Sequence, residues 1–121
     1  MDDNCIFCRI LKGEAHGTVV NITDYWATLE PKEKVSKGHI LVIPSFHCRD
    51  IIDLNDSDAI KELGLVLQEV SKKQMEENNA EGINILNANK EAAQQSVFHL
   101  HFHIIPRYSN DNLDLWIRER L

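Results

Sequence analysis

Residues 98–107 read FHLHFHIIPR and set His99, His101 and His103 at every second position. In an extended strand alternate side chains share a face, so the three imidazoles stand on one side and Leu100, Phe102 and Ile104 form the core side. A plain solvent-facing row would repeat, three times, a residue type poorly suited to it. A shared metal ion explains only part of the row. At about 3.3 Å per residue, His99 and His103 have backbones roughly 13 Å apart, whereas zinc holds each nitrogen at about 2.0–2.1 Å. Two alternate histidines can share an ion; three on one straight strand cannot. The use that remains is nucleophilic catalysis, in which neutral imidazole attacks an electrophile while flanking groups hold the developing charge. His101, with a neighbour about 7 Å away on each side, suits a phosphate. Its other ring nitrogen then needs an acceptor that fixes the tautomer.

Cys5-x-x-Cys8 offers a second chemistry, because that spacing serves zinc half-sites; two buried apolar thiols are the plain alternative. Cys48 stands outside the pattern and is expected to be a small buried side chain. Three cysteines, an odd number, fit reduced thiols or metal ligands better than a disulfide framework. His16 falls in a turn and is expected to be exposed.

The elements that must position these groups follow from periodicity. A helical turn is expected over Cys5–Lys12, ending at Gly13. Alternating segments at 18–22 and 25–30 form a hairpin around Thr23-Asp24, and HILVI at 39–43 makes a third strand stopped by Pro44. From Asp56 to about Asn78 the period changes. Ala59, Ile60, Leu63, Val66, Leu67 and Val70 recur at spacings of three and four, which predicts an amphipathic helix capped by Asn55 or Asp56. Strands are expected again at 82–87 and 97–105. The class is therefore α+β: a five-stranded, mostly antiparallel sheet with one long and one short helix, in a single domain over 1–121.

Composition narrows the partners. The 121 residues are 43% hydrophobic and 26% charged, enough for one core. With 13 Lys+Arg against 19 Asp+Glu, the net charge of −6 disfavours a polynucleotide footprint and leaves room for a small anionic ligand. MDDNCIFCRI shows no basic-then-apolar leader pattern, and no run approaches a membrane span, so a soluble, cytoplasmic protein without membrane contact is expected.

His99-Leu100-His101-Phe102-His103-Ile104-Ile105 resembles the His-φ-His-φ-His-φ-φ signature (φ apolar) of the histidine-triad, or HIT, family. CIFCRILKGE, GHILVIPSFH and QSVFHLHFHIIPR also follow that family's order and spacing. The resemblance implies a homodimer in which two five-stranded sheets join. It implies hydrolysis or transfer of nucleoside monophosphates, from AMP or GMP conjugates such as phosphoramidates and phosphoanhydrides. His101 would be the nucleophile, His103 a donor to a non-bridging phosphate oxygen, and His99 with His39 a relay behind them. Ser96 matches a hydroxyl position near the leaving group, with Gln95 before it; by residue type alone Ser96 is equally a loop hydroxyl capping a strand.

Serine there favours the phosphoramidase branch. Glu30 is the candidate for the ribose hydroxyls, with a solvated strand end as its plain alternative, and Ile22, Leu29, Ile40 and Ile43 are candidate base walls or core. Ala88 stands where an amide is frequent, leaving Asn87 or Asn89 as substitutes. Lys90 and Gln94 stand where relatives carry glycine, which permits positive φ, and Lys90 would bring a charge near the phosphates. Bacterial members complete a structural zinc site with residues matching His47 and His99 beside Cys5 and Cys8; no organic cofactor is implied. Trp116 matches a C-terminal segment that reaches the partner's active site.

Overall fold

A computed structural model describes residues 2–117 of the chain. In order the elements are α1 (Ile6–Leu11), β1 (Val19–Ile22), β2 (Trp26–Leu29), β3 (Ile40–Pro44), α2 (Ser57–Asn78), β4 (Gly82–Leu86), a single 3-10 turn (Glu91–Ala93) and β5 (Phe102–Arg107). The strands form one sheet in the order β1-β2-β3-β5-β4, antiparallel at every pairing. β5 therefore enters the middle of the sheet, with Leu41 opposite His103 and Val42 opposite Phe102.

Helix α2 starts where the Asp56 carboxylate accepts from the Asp58 and Ala59 amides, and stops at Asn79, whose φ of 50° is left-handed. Asp56, rather than Asn55, is the cap. Ala59, Leu63, Val66, Leu67 and Val70 face the sheet, while Ile60 points outward. Under them lie Trp26, Ile40, Val42, Leu100, Phe102 and Ile104, and the Trp26 indole donates to the Ala59 carbonyl at 3.0 Å. The opposite face carries Ala27, Leu29, Leu41 and Ile43 beneath Cys5, Phe7 and Cys8 of the α1 region. Because both faces are covered, β2 and β3 are buried at every residue.

One expected boundary shifts. The strand predicted over 97–105 joins the ladder only at Phe102 and runs on to Arg107. Residues 99–101 are held by bonds outside the ladder: the Leu100 amide donates to the Cys48 carbonyl at 2.7 Å, and the Asn87 side chain donates to the His101 carbonyl at 3.0 Å. The alternation of side chains nevertheless persists, so Leu100 joins the α2 side while His99 and His101 turn toward α1. Among the described residues no helix is long and apolar enough to cross a membrane.

Candidate active site

Each imidazole of the row has a hydrogen-bond partner that fixes its tautomer. The His101 Nδ1 lies 2.8 Å from the His99 carbonyl, which can only accept, so Nδ1 carries the proton and Nε2 keeps its lone pair. The Val35 amide donates to His39 Nδ1 at 3.1 Å, which leaves the proton of His39 on Nε2. That proton is directed at His103 Nδ1, 3.0 Å away, so His103 in turn carries its proton on Nε2. The rings of His101 and His103 are 5.1 Å apart. A lone pair on one ring thus stands beside an N–H donor on the next.

All three rings are held neutral at pH 7. Burial pushes His103 down to about 4, helped by the neighbouring His101 and His39. Burial likewise lowers His101 and His39. A neutral His101 is the nucleophilic form, and burial keeps it so without a neighbouring acid.

The expected relay of His99 with His39 does not form. With Leu41 opposite His103, His39 is the diagonal neighbour of His103 on the same face. His99 lies further along β3, where its Nε2 donates to the Pro44 carbonyl at 3.0 Å. His39 is therefore the partner of His103.

That bond leaves the His99 Nδ1 lone pair pointing at two thiols, 3.3 Å from Cys5 Sγ and 3.6 Å from Cys8 Sγ, while His47 Nδ1 approaches Cys8 Sγ at 3.3 Å. The four donor atoms lie within 4.8 Å of one another. A tetrahedral ion with zinc–sulfur near 2.3 Å and zinc–nitrogen near 2.1 Å has sulfur–nitrogen edges of roughly 3.6 Å, so the cluster has the dimensions and the donor set to hold one metal ion. Cys5 also accepts the Cys8 amide, which orients both thiols toward the same point.

Phe7 sits edge-on to both His99 and His101, at 5.6 and 5.4 Å, and lines a cavity of about 580 Å³ whose walls include Ile6, Ile10, Leu29, Glu30, Leu41 and Val97. This is the size range of small-molecule pockets. Glu30 borders it and is paired with Lys34 at 2.9 Å. His101 itself is only 5% exposed and is not among the lining residues. Of the proposed walls, Leu29 lines the cavity, Ile43 packs in the α1-side core, Ile40 packs on the α2 side, and Ile22 is exposed. His16, exposed as expected, borders the cavity too. Phe7, Leu41 and Val97 carried no chemical signal in the sequence; their role follows from packing. Ser96 is exposed on a neighbouring hollow shared with Cys5, His47 and Val97.

The loop before the triad is internally bonded. Asn87 holds the His101 carbonyl, and Asn89 donates to Asn87 and accepts from the Ile51 amide. The buried Gln95 side chain donates to the Arg49 and Val97 carbonyls and accepts from the Lys90 amide. These three amides tie loop to loop. The Lys90 ammonium, expected near the phosphates, is instead paired with Asp50 at 2.9 Å. Asp50 carried no sequence signal. Trp116 is exposed.

A single antiparallel sheet with a histidine row, buried at His99 and His101 and half-buried at His103, and a thiol–imidazole cluster defines the class. Residues 12–110 match the HIT domain family, to which the chain belongs. It is 38% identical over 106 residues to Protein hit of Bacillus subtilis (strain 168), covering 88% of this chain and 72% of that one. It is 36% identical over 104 residues to the adenosine 5'-monophosphoramidase hnt1 of Schizosaccharomyces pombe (86% and 74% covered). The crystal structure of a zinc-bound histidine triad family protein from Mycobacterium smegmatis superposes with a TM-score of 0.82 at 30% identity, covering 92% of this chain and 80% of that one.

Proposed function

We propose that the protein cleaves nucleoside 5'-phosphoramidates, or related phosphoanhydrides, at the α-phosphorus through a nucleotidyl-histidine on His101. The observation that carries this reading is the pair of fixed tautomers, a free Nε2 lone pair on His101 beside an Nε2–H donor on His103. In the first step the His101 Nε2–phosphorus bond forms as the bond to the leaving group breaks. The leaving amine or phosphate takes up a proton from solvent, for which the Ser96 hydroxyl is the proposed conduit. The charge that grows on His101 is stabilised through Nδ1–H by the His99 carbonyl, and His103 donates to a non-bridging oxygen. Water then attacks phosphorus, breaking the His101 Nε2–phosphorus bond and giving a proton back to solvent, which releases the nucleoside monophosphate and restores neutral His101. Glu30 takes the ribose hydroxyls at the cavity wall, with Asn87, Asn89 and Gln95 holding the phosphate-side loop. The activity named for the fission-yeast relative supports an AMP conjugate as substrate, with a GMP conjugate as the alternative.

Cys5, Cys8, His47 and His99 would hold zinc, which with four protein ligands supplies structure rather than a reactive position. The metal would fasten α1 over the sheet and pin His99, whose carbonyl orients His101. The protein is proposed to work in the cytoplasm as a homodimer.

A second reading is a nucleotide-binding regulator with little turnover, favoured by the near-complete covering of His101. Rapid-mixing kinetics on a fluorogenic adenosine phosphoramidate separate the two. The catalytic reading expects a burst of leaving group equal to the enzyme concentration, lost in His101→Ala while AMP binding by calorimetry persists. Tight AMP binding by the wild-type chain without any turnover would establish the regulator instead.

A further inference from the structure

Lys90 adopts φ 76° and ψ 164°, and Gln94 adopts φ 70°. The first of these is a region that glycine occupies freely and a lysine occupies only when its surroundings over-determine it. Here they do. The Lys90 amide donates to Gln95 Oε1 at 2.7 Å, its carbonyl accepts from the Ala93 and Gln95 amides at 3.2 Å, and its ammonium reaches Asp50 Oδ2 at 2.9 Å. Asp50 is fully covered, 0% exposed, and its other oxygen accepts from the Asp53 amide at 3.0 Å. An ordinary surface ion pair contributes little, but a covered carboxylate that loses its cation is left with an uncompensated charge.

The same two loops are stitched at neighbouring points. Gln95 donates to the Arg49 carbonyl and Asn89 accepts from the Ile51 amide, each at 2.7 Å. From Asn89 the bonds continue to Asn87 and on to the His101 carbonyl. We propose that Lys90 and Asp50 form an ionic clasp that holds this loop in its strained conformation and positions His101 for reaction through Asn89 and Asn87. Both are positioning residues: the lysine holds the loop and does not contact substrate. The catalytic consequence rests on the function proposed above; the geometric one does not.

The test compares Lys90→Gly, Lys90→Arg and Asp50→Asn with the wild-type chain. Glycine relieves the backbone and removes the clasp. Lys90→Gly is therefore expected to lower kcat at least tenfold with KM changed less than twofold and little change in Tm, because relief of the backbone offsets the charge left uncompensated on Asp50, while Lys90→Arg retains most of kcat. Asp50→Asn should lower kcat similarly, and combining it with Lys90→Gly should add nothing. Wild-type kcat in Lys90→Gly, or a loss that merely follows a lowered Tm, overturns the clasp. Should the wild-type chain show no turnover, the proposed activity falls and the clasp is judged on the ring ¹⁵N signals of His101. Signals displaced in Lys90→Gly and returned in Lys90→Arg uphold it; signals unmoved in Lys90→Gly overturn it.

Discussion

The chain of donors that runs from the Val35 amide through His39 to His103 makes each ring depend on the neutrality of the next. A proton added to His103 Nδ1 would face the His39 N–H, and one added to His39 Nδ1 would face the Val35 amide, so charging either ring breaks one bond of the chain. Burial holds His103 at about 4 against 6.5 for an exposed ring. Between those values the unfolded chain binds the proton and the folded chain does not. This contribution to stability is therefore complete above about pH 6.5 and is lost as pH falls toward 4, by about 3 kcal/mol from this ring. Urea unfolding at pH 7.5, 6 and 5 should show a decline with acid that is shallower in His103→Asn. Equal slopes for the two proteins would mean that the ring is not held neutral by the fold.

At the scale of elements, α1 has six residues, too few to be stable alone. It is kept in place by Phe7 and Cys8 on the sheet and by the convergence of Cys5 and Cys8 on His47 and His99. An ion at that point would tie the N-terminal turn to β3's exit and to the segment before β5. Stripping metal with a strong chelator should lower Tm by roughly 5–15 °C. Adding back zinc should restore it, and Cys8→Ser should reproduce the stripped value and no longer respond to the chelator. A Tm insensitive to chelation, in protein with less than one metal ion per chain, would leave the four side chains as a polar contact only.

At the scale of the whole molecule, β4 is the open edge of the sheet on the β5 side, and its Ile85 is 46% exposed. Unpaired strand edges with apolar side chains call for cover. A second copy laid against this edge would continue the sheet, as the proposed homodimer requires. Sedimentation equilibrium should return twice the chain mass, and Ile85→Lys should shift the protein toward the monomer. A monomer for the wild-type chain at micromolar concentration would remove the homodimer from the account.

The period-two histidines, the three-and-four spacing of Ala59 to Val70, and the Cys5-x-x-Cys8 turn were all legible before any coordinates, because each is a local pattern that one strand or one helix imposes on its own residues. They led to the α+β class and singled out His101 as a candidate nucleophile and Cys5 and Cys8 as candidate metal donors. Which ring partners which was decided only when β5 took its place between β3 and β4, since that register brings His39 to His103 and sends His99 to Pro44 and the thiols. Asp50 and Phe7 belong to the same category: nothing beside them in the chain reveals a covered carboxylate that meets Lys90 forty residues on, or a phenyl ring that lines a cavity and packs edge-on to His101. Spacing along a chain dictates the face a side chain takes, but its neighbour across space depends on how separate segments pack, and that is a property of the assembled sheet.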